Sequence, residues 1–158
     1  MPATYESLVS ATIELGKRHI VMPIEEMQLA SALASLPNSD NVVARMISEL
    51  FSHPNMHVRR IAISASRRSK AFGVIGLRDA LTFALNDPEA WVRYDATWAI
   101  QEAGFDSPEI RELLTSIAKG SMPEDKEQAR KHPANAELRA RLRASELLEA
   151  LRMSSKNF

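Results

Sequence analysis

The sequence predicts an all-α protein of about eight helices, and three observations carry this prediction. Apolar residues recur at spacings of three and four along the 158 residues, which is the period of an amphipathic helix. No stretch alternates apolar and polar side chains over several positions, as a half-buried strand would. Helix start and stop signals also divide the chain into segments of ordinary helical length.

Capping residues place the helix boundaries. Asn and Ser side chains accept hydrogen bonds from first-turn N–H groups, Pro suits the first turn, and Gly takes the left-handed conformation after the last turn. By these signals one helix follows Asn55, a second begins at Asp87-Pro88-Glu89 and ends at Gly104, and a third begins at Ser107-Pro108-Glu109 and ends before Gly120. Helical periodicity predicts further segments near 5–16, 24–36, 41–52, 75–85 and 134–152.

Composition narrows the class of protein. The chain is 45% hydrophobic and 25% charged, as in an ordinary soluble domain. It has no Cys, which excludes disulfides, thiolate zinc sites, iron–sulfur clusters and Cys nucleophiles. Twenty basic residues balance twenty acidic ones, so the net charge is zero and gives no indication of a nucleic-acid or membrane partner. The start of the chain lacks the pattern of a signal peptide, and we expect a cytoplasmic protein.

An internal repeat of 34 residues is the most informative feature. Residues 53–67 superpose on 87–101, with Val58-Arg59 over Val92-Arg93. The alanines that follow coincide as well, and about 100° per residue places them on the same side of the helix as the valine. Small residues let a neighbouring helix approach closely, which favours a stacked array of helical pairs. A weaker copy begins at Leu138-Arg139.

The turn that begins the helix at 87–103 contains an acidic residue that can contact an arginine on that helix. Asp87 lies six residues before Arg93 in the turn that begins the helix. We therefore expect a structural contact between Asp87 and Arg93. In the other copies His53 and Pro133 occupy the position of the Asp, so the salt link between Asp and Arg is not expected there.

The pattern D-P-x-x-W-V-R-Y-x-A-x-x-A at 87–99 resembles the short HEAT-like repeats of phycobilisome lyases and many bacterial repeat proteins. This resemblance implies an α-solenoid of about four helical pairs forming a single domain over 1–158. The repeats would lie at about 4–37, 40–73, 74–106 and 107–153. In such repeats the second helix of each pair lines the concave side, where ligands dock.

The candidate binding surface lies on these second helices. Residues 50–78 contain six Lys or Arg and no acid, whereas the next repeat is acidic. The spacing i, i+4, i+7, i+11 also aligns two Trp with two acids, and Trp and Tyr are typical binding anchors. The candidate partner-binding residues are Trp91, Tyr94, Asp95, Trp98, Glu102, His57, Arg60, Arg67 and Arg68. The alternatives are that the charged faces neutralise each other or are only solvated, and that both Trp residues pack against neighbouring helices.

No catalytic or metal-binding motif is present. The sequence contains no phosphate-binding Gly loop, no Gly-x-Ser-x-Gly and no His-Glu-x-x-His. His53 and His57 are four residues apart, but His53 lies in a turn rather than on the helix. We therefore predict no catalytic residues, no metal ligands and no cofactor.

The predicted function is a non-catalytic protein-binding module or adaptor, with another protein as its partner. The acidic repeat disfavours a nucleic acid. Repeat similarity leaves open a lyase or chaperone role toward tetrapyrrole-bearing proteins. It also leaves open a HEAT-like DNA glycosylase that would use Trp91, Asp95 and Arg60. The charged segment 121–137 is expected to be an exposed loop or short helix, and the last helix a polar-faced cap.

Overall fold

The computed structural model describes residues 2–122 and 136–156, and within these ranges the chain is helical and contains no strand. The prediction of an all-α fold is therefore confirmed for the described residues. None of the described helices is long and apolar enough to cross a membrane. In chain order the described helices are α1 (Tyr5–Gly16), α2 (Pro23–Ala34), α3 (Ser39–Glu49), α4 (Met56–Ser69), α5 (Leu77–Ala84), α6 (Ala90–Ala103), α7 (Pro108–Ala118) and α8 (Ala136–Lys156).

The boundaries predicted from capping residues at Asn55, Gly104 and Ser107 are correct, whereas those predicted from periodicity at 24–36, 41–52 and 75–85 differ from the helices by one to three residues. The Asn55 side chain accepts hydrogen bonds from two N–H groups in the first turn of α4. The Ser107 Oγ accepts one from the N–H of Ile110, at 3.1 Å, where α7 begins. Gly104 follows α6 with a φ of 74°, a left-handed conformation that favours glycine.

The predicted start of α6 is wrong by about two residues. The helix begins at Ala90 with Glu89 as its N-cap, whereas Asp87 lies in the preceding turn. There the Asp87 Oδ1 accepts a hydrogen bond from the N–H of Glu89 at 2.9 Å. An Asp side chain that bonds the backbone two residues on closes a turn of its own, which delays the helix.

Part of the chain between α7 and α8 lies outside the described residues. The loop or short helix predicted at 121–137 falls mostly on 123–135, which are not described, and Pro133 belongs to that stretch. The last helix, predicted at 134–152, is described from Ala136 and continues to Lys156.

The chain forms two compact units, Met1–Ala80 and Leu81–Phe158. In the first unit α2 packs along α4, and α1 and α3 each contact both of these helices. The Tyr5 hydroxyl donates a hydrogen bond to Glu49 Oε2 at 2.5 Å, which joins α1 to α3. The Arg45 guanidinium lies 3.9 Å from the centroid of the same Tyr5 ring. Fully buried side chains of this unit include Leu33, Met46, Leu50, Met56 and Ile61.

In the second unit α8 packs against both α6 and α7. The sides of α6 and α8 that are buried carry several small residues. Val92, Ala96 and Ala99 of α6 and Ala140 and Ala144 of α8 are all fully buried. Small side chains on both helices allow a short distance between their axes.

A buried arginine anchors the turn before α4 and the turn before α6 in the same way. Arg59 Nη1 donates hydrogen bonds to the carbonyl oxygens of His53 and Pro54 at 2.9 and 3.0 Å. Arg93 Nη1 donates to the carbonyl oxygen of Asp87 at 2.7 Å. In each copy the arginine thus reaches the main chain six residues earlier. Because this acceptor is a carbonyl, the main-chain contact does not depend on an Asp side chain and also forms where His53 replaces Asp.

An exposed ion pair stabilises the start of α7. Arg111 donates from Nε to Asp106 Oδ1 at 2.9 Å and from Nη2 to Asp106 Oδ2 at 2.7 Å. These hydrogen bonds to the ionised carboxylate lower the pKa of Asp106 from its usual value. Such a two-pronged pair orders the turn that leads into Ser107, the N-cap of α7.

The stabilisation that the Arg111–Asp106 pair provides should depend on pH. Because the pKa of Asp106 is lower in the folded chain, its stabilisation is complete above the unfolded value of about 3.9 and is lost as the pH falls through the folded value. Asp106→Asn should therefore lower the free energy of unfolding at neutral pH by at most about 1 kcal/mol, since the pair is partly solvated. Urea unfolding at about pH 7 and pH 2.5 measures this difference. An equal difference at both pH values would contradict the prediction.

Candidate aromatic binding site on the sixth helix

Three aromatic side chains lie in a row along α6. The ring centroids of Trp91 and Tyr94 are 5.4 Å apart, and those of Tyr94 and Trp98 are 6.5 Å apart. The ring planes meet at 85° and 78°, which is the edge-to-face geometry that aromatic pairs prefer. We call Trp91, Tyr94 and Trp98 the aromatic ladder.

The aromatic ladder is only partly covered. Trp91 and Tyr94 are half-buried, and Trp98 is 36% exposed. Neither the prediction of a free surface nor the alternative of simple core packing describes these side chains completely. All three side chains therefore combine contacts inside the protein with some exposure to solvent.

Arg143 of α8 forms the covered side of Trp98. Its Cζ lies 3.6 Å from the centroid of the Trp98 ring, a cation–π contact. The same guanidinium donates from Nη2 to Gln101 Oε1, and Nη1 lies 3.3 Å from Glu146 Oε2. Burial lowers the pKa of Arg143 from its usual value, but an arginine remains charged near neutral pH.

Two predicted acidic residues flank the ladder on α6. Asp95 is half-buried and Glu102 is exposed. They lie three residues before and four residues after Trp98, spacings that bring side chains together on a helix surface. The structure therefore places Asp95 and Glu102 beside the aromatic ladder within the second unit.

The predicted basic residues belong to the first unit, where two of them converge on a glutamate. His57 Nδ1 lies 3.2 Å from Glu26 Oε2, and Arg60 Nη1 lies 3.4 Å from Glu26 Oε1. His57 is 5% exposed and Glu26 is also buried. This cluster links α4 to α2, so the structure gives His57 a packing role and leaves its role in partner binding a prediction.

The other two predicted arginines lie near the C-terminal end of α4. Arg67 is half-buried and Arg68 is exposed. Arg68 Nε donates to Ser64 Oγ at 3.2 Å. Positive charge in the last turn of a helix is favoured by the helix dipole, which accounts for part of the basic character of this segment. That these arginines face one groove with the aromatic ladder stays a prediction.

Sequence reasoning did not identify Glu26 or Arg143, although the helical period contained a signal for both. Residues 136, 140, 143 and 147 share one face of α8, and the other three members of that set are Ala, Ala and Leu. A charged residue in such an apolar row is an indication of a buried, partnered group. Glu26 stands in a similar row with Ala30 and Leu33 on α2.

The side chains exposed on α6 include the aromatic Trp98 and the acidic Glu102. Among the residues that the structure describes, no group of three or more His, Asp or Glu side chains could hold a metal ion. The aromatic ladder offers planar apolar surface, and the carboxylates beside it offer negative charge.

Comparisons with protein-family models, with curated proteins and with solved structures find no match to this chain. The resemblance to HEAT-like repeats therefore stays a prediction from the residues at 87–99.

Proposed function

We propose that this chain is a non-catalytic protein-binding module whose aromatic ladder on α6 anchors the partner. The observation that carries the proposal is the partial exposure of three adjacent aromatic rings, with Trp98 36% exposed. Large aromatic side chains contribute much of the affinity of protein interfaces because each buries a wide area while few torsions are frozen. Their position on a helix, the edge-to-face contacts between neighbouring rings and the packing of Arg143 on Trp98 favour a preformed binding surface.

We further propose that the helices are arranged as the pairs of a HEAT-like α-solenoid. Two features within the units support this proposal. The second helices of consecutive pairs pack together, α2 with α4 in the first unit and α6 with α8 in the second. Arg59 and Arg93 also make the same contact to the preceding turn in two successive copies.

The protein-binding function can be tested by substitution at the exposed end of the ladder. The immobilised wild-type chain would be used to capture partners from an extract of the source cell, and the affinity of each purified partner would then be measured by calorimetry. Trp98→Ala should lower the affinity for a specific partner by about tenfold or more, as expected for an interface anchor. Far-UV circular dichroism would verify that the variant is folded.

Phe83→Ala is the matched control for this experiment. Phe83 is an aromatic side chain of the same unit that is 73% exposed, and it does not belong to the ladder. Its substitution should leave the affinity unchanged. Partners that bind wild type and Trp98→Ala equally well would contradict the proposed function.

A further inference from the structure

The indole ring of Trp98 already binds a guanidinium from within the chain. Arg143 is 5% exposed, and its Cζ lies 3.6 Å from the ring centroid. The negative face of an indole attracts a cation, most strongly where water is excluded. Since 36% of Trp98 is still exposed, the ring retains surface that a ligand can cover.

The charge around this exposed surface is mainly negative. Asp95 and Glu102 flank Trp98 on α6. On α8 the Glu146 side chain is 69% exposed and lies 3.3 Å from Arg143 Nη1. Arg143 itself, together with Arg139, an exposed base one turn before it, offsets two of these three negative charges, so the named residues keep a net negative charge. An acidic or phosphorylated segment would meet repulsion here, whereas a basic segment would be attracted.

We propose that the aromatic ladder binds an arginine side chain from a basic peptide segment of the partner, stacked on the exposed part of Trp98 beside the carboxylates of Asp95, Glu102 and Glu146. This inference rests on the proposed protein-binding function and specifies the chemistry of the segment. Arginine fits better than lysine because its guanidinium is planar, stacks on aromatic rings and is more weakly hydrated than an ammonium group.

Tryptophan fluorescence reports directly on this site, because the chain contains two Trp residues and both belong to the ladder. The probe is a short capped peptide that alternates arginine with glycine, titrated to about millimolar concentration, where a few weak contacts become measurable. Peptides with lysine or glutamate in place of arginine are the comparison. We expect a saturable change with the arginine peptide, binding roughly threefold weaker with the lysine peptide, and none with the glutamate peptide.

Two substitutions test whether the ladder is the site. Trp98→Ala should lower the affinity for the arginine peptide roughly tenfold, and Trp91 still provides the fluorescence signal in this variant. Glu102→Lys leaves all three rings in place and should weaken it by about fivefold through charge alone. Glu112→Lys, at an exposed position on α7 in the same unit, is the matched control and should leave the affinity unchanged.

The outcomes separate this inference from the proposed function. Equal binding of the arginine and glutamate peptides, or of wild type and Glu102→Lys, would overturn the inference. So would a purified partner that requires Trp98 but is not displaced by the arginine peptide, although the protein-binding function would then stand. A partner that binds wild type and Trp98→Ala with the same affinity would overturn both this inference and the proposed protein-binding function.

Discussion

Replacing Arg93 by alanine should lower the free energy of unfolding by about 3 kcal/mol, the largest effect we expect from a single polar side chain in this protein. Arg93 is 0% exposed. Its Nη1 donates to the Asp87 carbonyl at 2.7 Å and its Nη2 lies 2.6 Å from Glu137 Oε2. The substitution leaves a carbonyl oxygen without its donor and removes the packing of a long buried side chain.

The loss of stability in Arg93→Ala should come mainly from the buried hydrogen bond and packing of Arg93 rather than from its ion pair with Glu137. The Glu137 side chain is half-exposed, so water can solvate it once the arginine is gone. Glu137→Gln should therefore cost less than about 1 kcal/mol. Arg68→Ala, at an exposed position on α4, is the matched control and should change stability by less than about 0.5 kcal/mol.

Chemical denaturation followed by circular dichroism measures these differences. A loss for Arg93→Ala no larger than that for Glu137→Gln would mean that the anchor to the turn before α6 contributes little. The equivalent arginine of the preceding copy, Arg59, makes the same kind of contact, so its substitution is the natural replicate.

Enlarging Ala96 to leucine should lower the free energy of unfolding by about 2 to 3 kcal/mol, which is the second large effect. Ala96 is fully buried on the side of α6 that also carries Val92 and Ala99. Three additional carbon atoms do not fit into a closely packed interior without displacing a helix or straining side chains. Thermal and urea unfolding of the variant provide the measurement.

Ala103→Leu is the matched control because it makes the same change on the same helix. Ala103 is the last residue of α6 and is half-buried. The larger side chain can turn toward solvent there, so a change below about 1 kcal/mol is expected. Similar losses at both positions would indicate that leucine is unfavourable in α6 for a reason other than close packing.

The helices could be predicted from the sequence because their signals are local. Asn55 and Ser107 cap the helices that follow them, and Gly104 takes a left-handed conformation after α6, as their residue types predict. Where two local signals compete, the prediction failed. Asp87 is both a good N-cap and a good turn residue, and it is used in the turn.

The composition of the ladder was also predictable, whereas its environment was not. Helical spacing alone placed Trp91, Tyr94 and Trp98 near one another along α6. Sequence reasoning could not decide between exposed anchors and buried core, because the answer depends on what α8 brings to the rings. Arg143 is 45 positions after Trp98 in the sequence, and only the packing of α8 against α6 brings the two side chains into contact.

The sequence by itself thus determined that the described part of the chain is helical, where the capped helices α4 and α7 begin, and that one side of α6 carries small apolar residues. These properties follow from hydrogen bonds and side-chain periods that span a few residues. The tertiary structure decided that Arg93 and Arg143 are buried, that Glu26 receives His57 and Arg60, and that Trp98 keeps part of its ring exposed. Burial and pairing are set by residues far apart in the chain, and a pattern of short period holds no information about such neighbours.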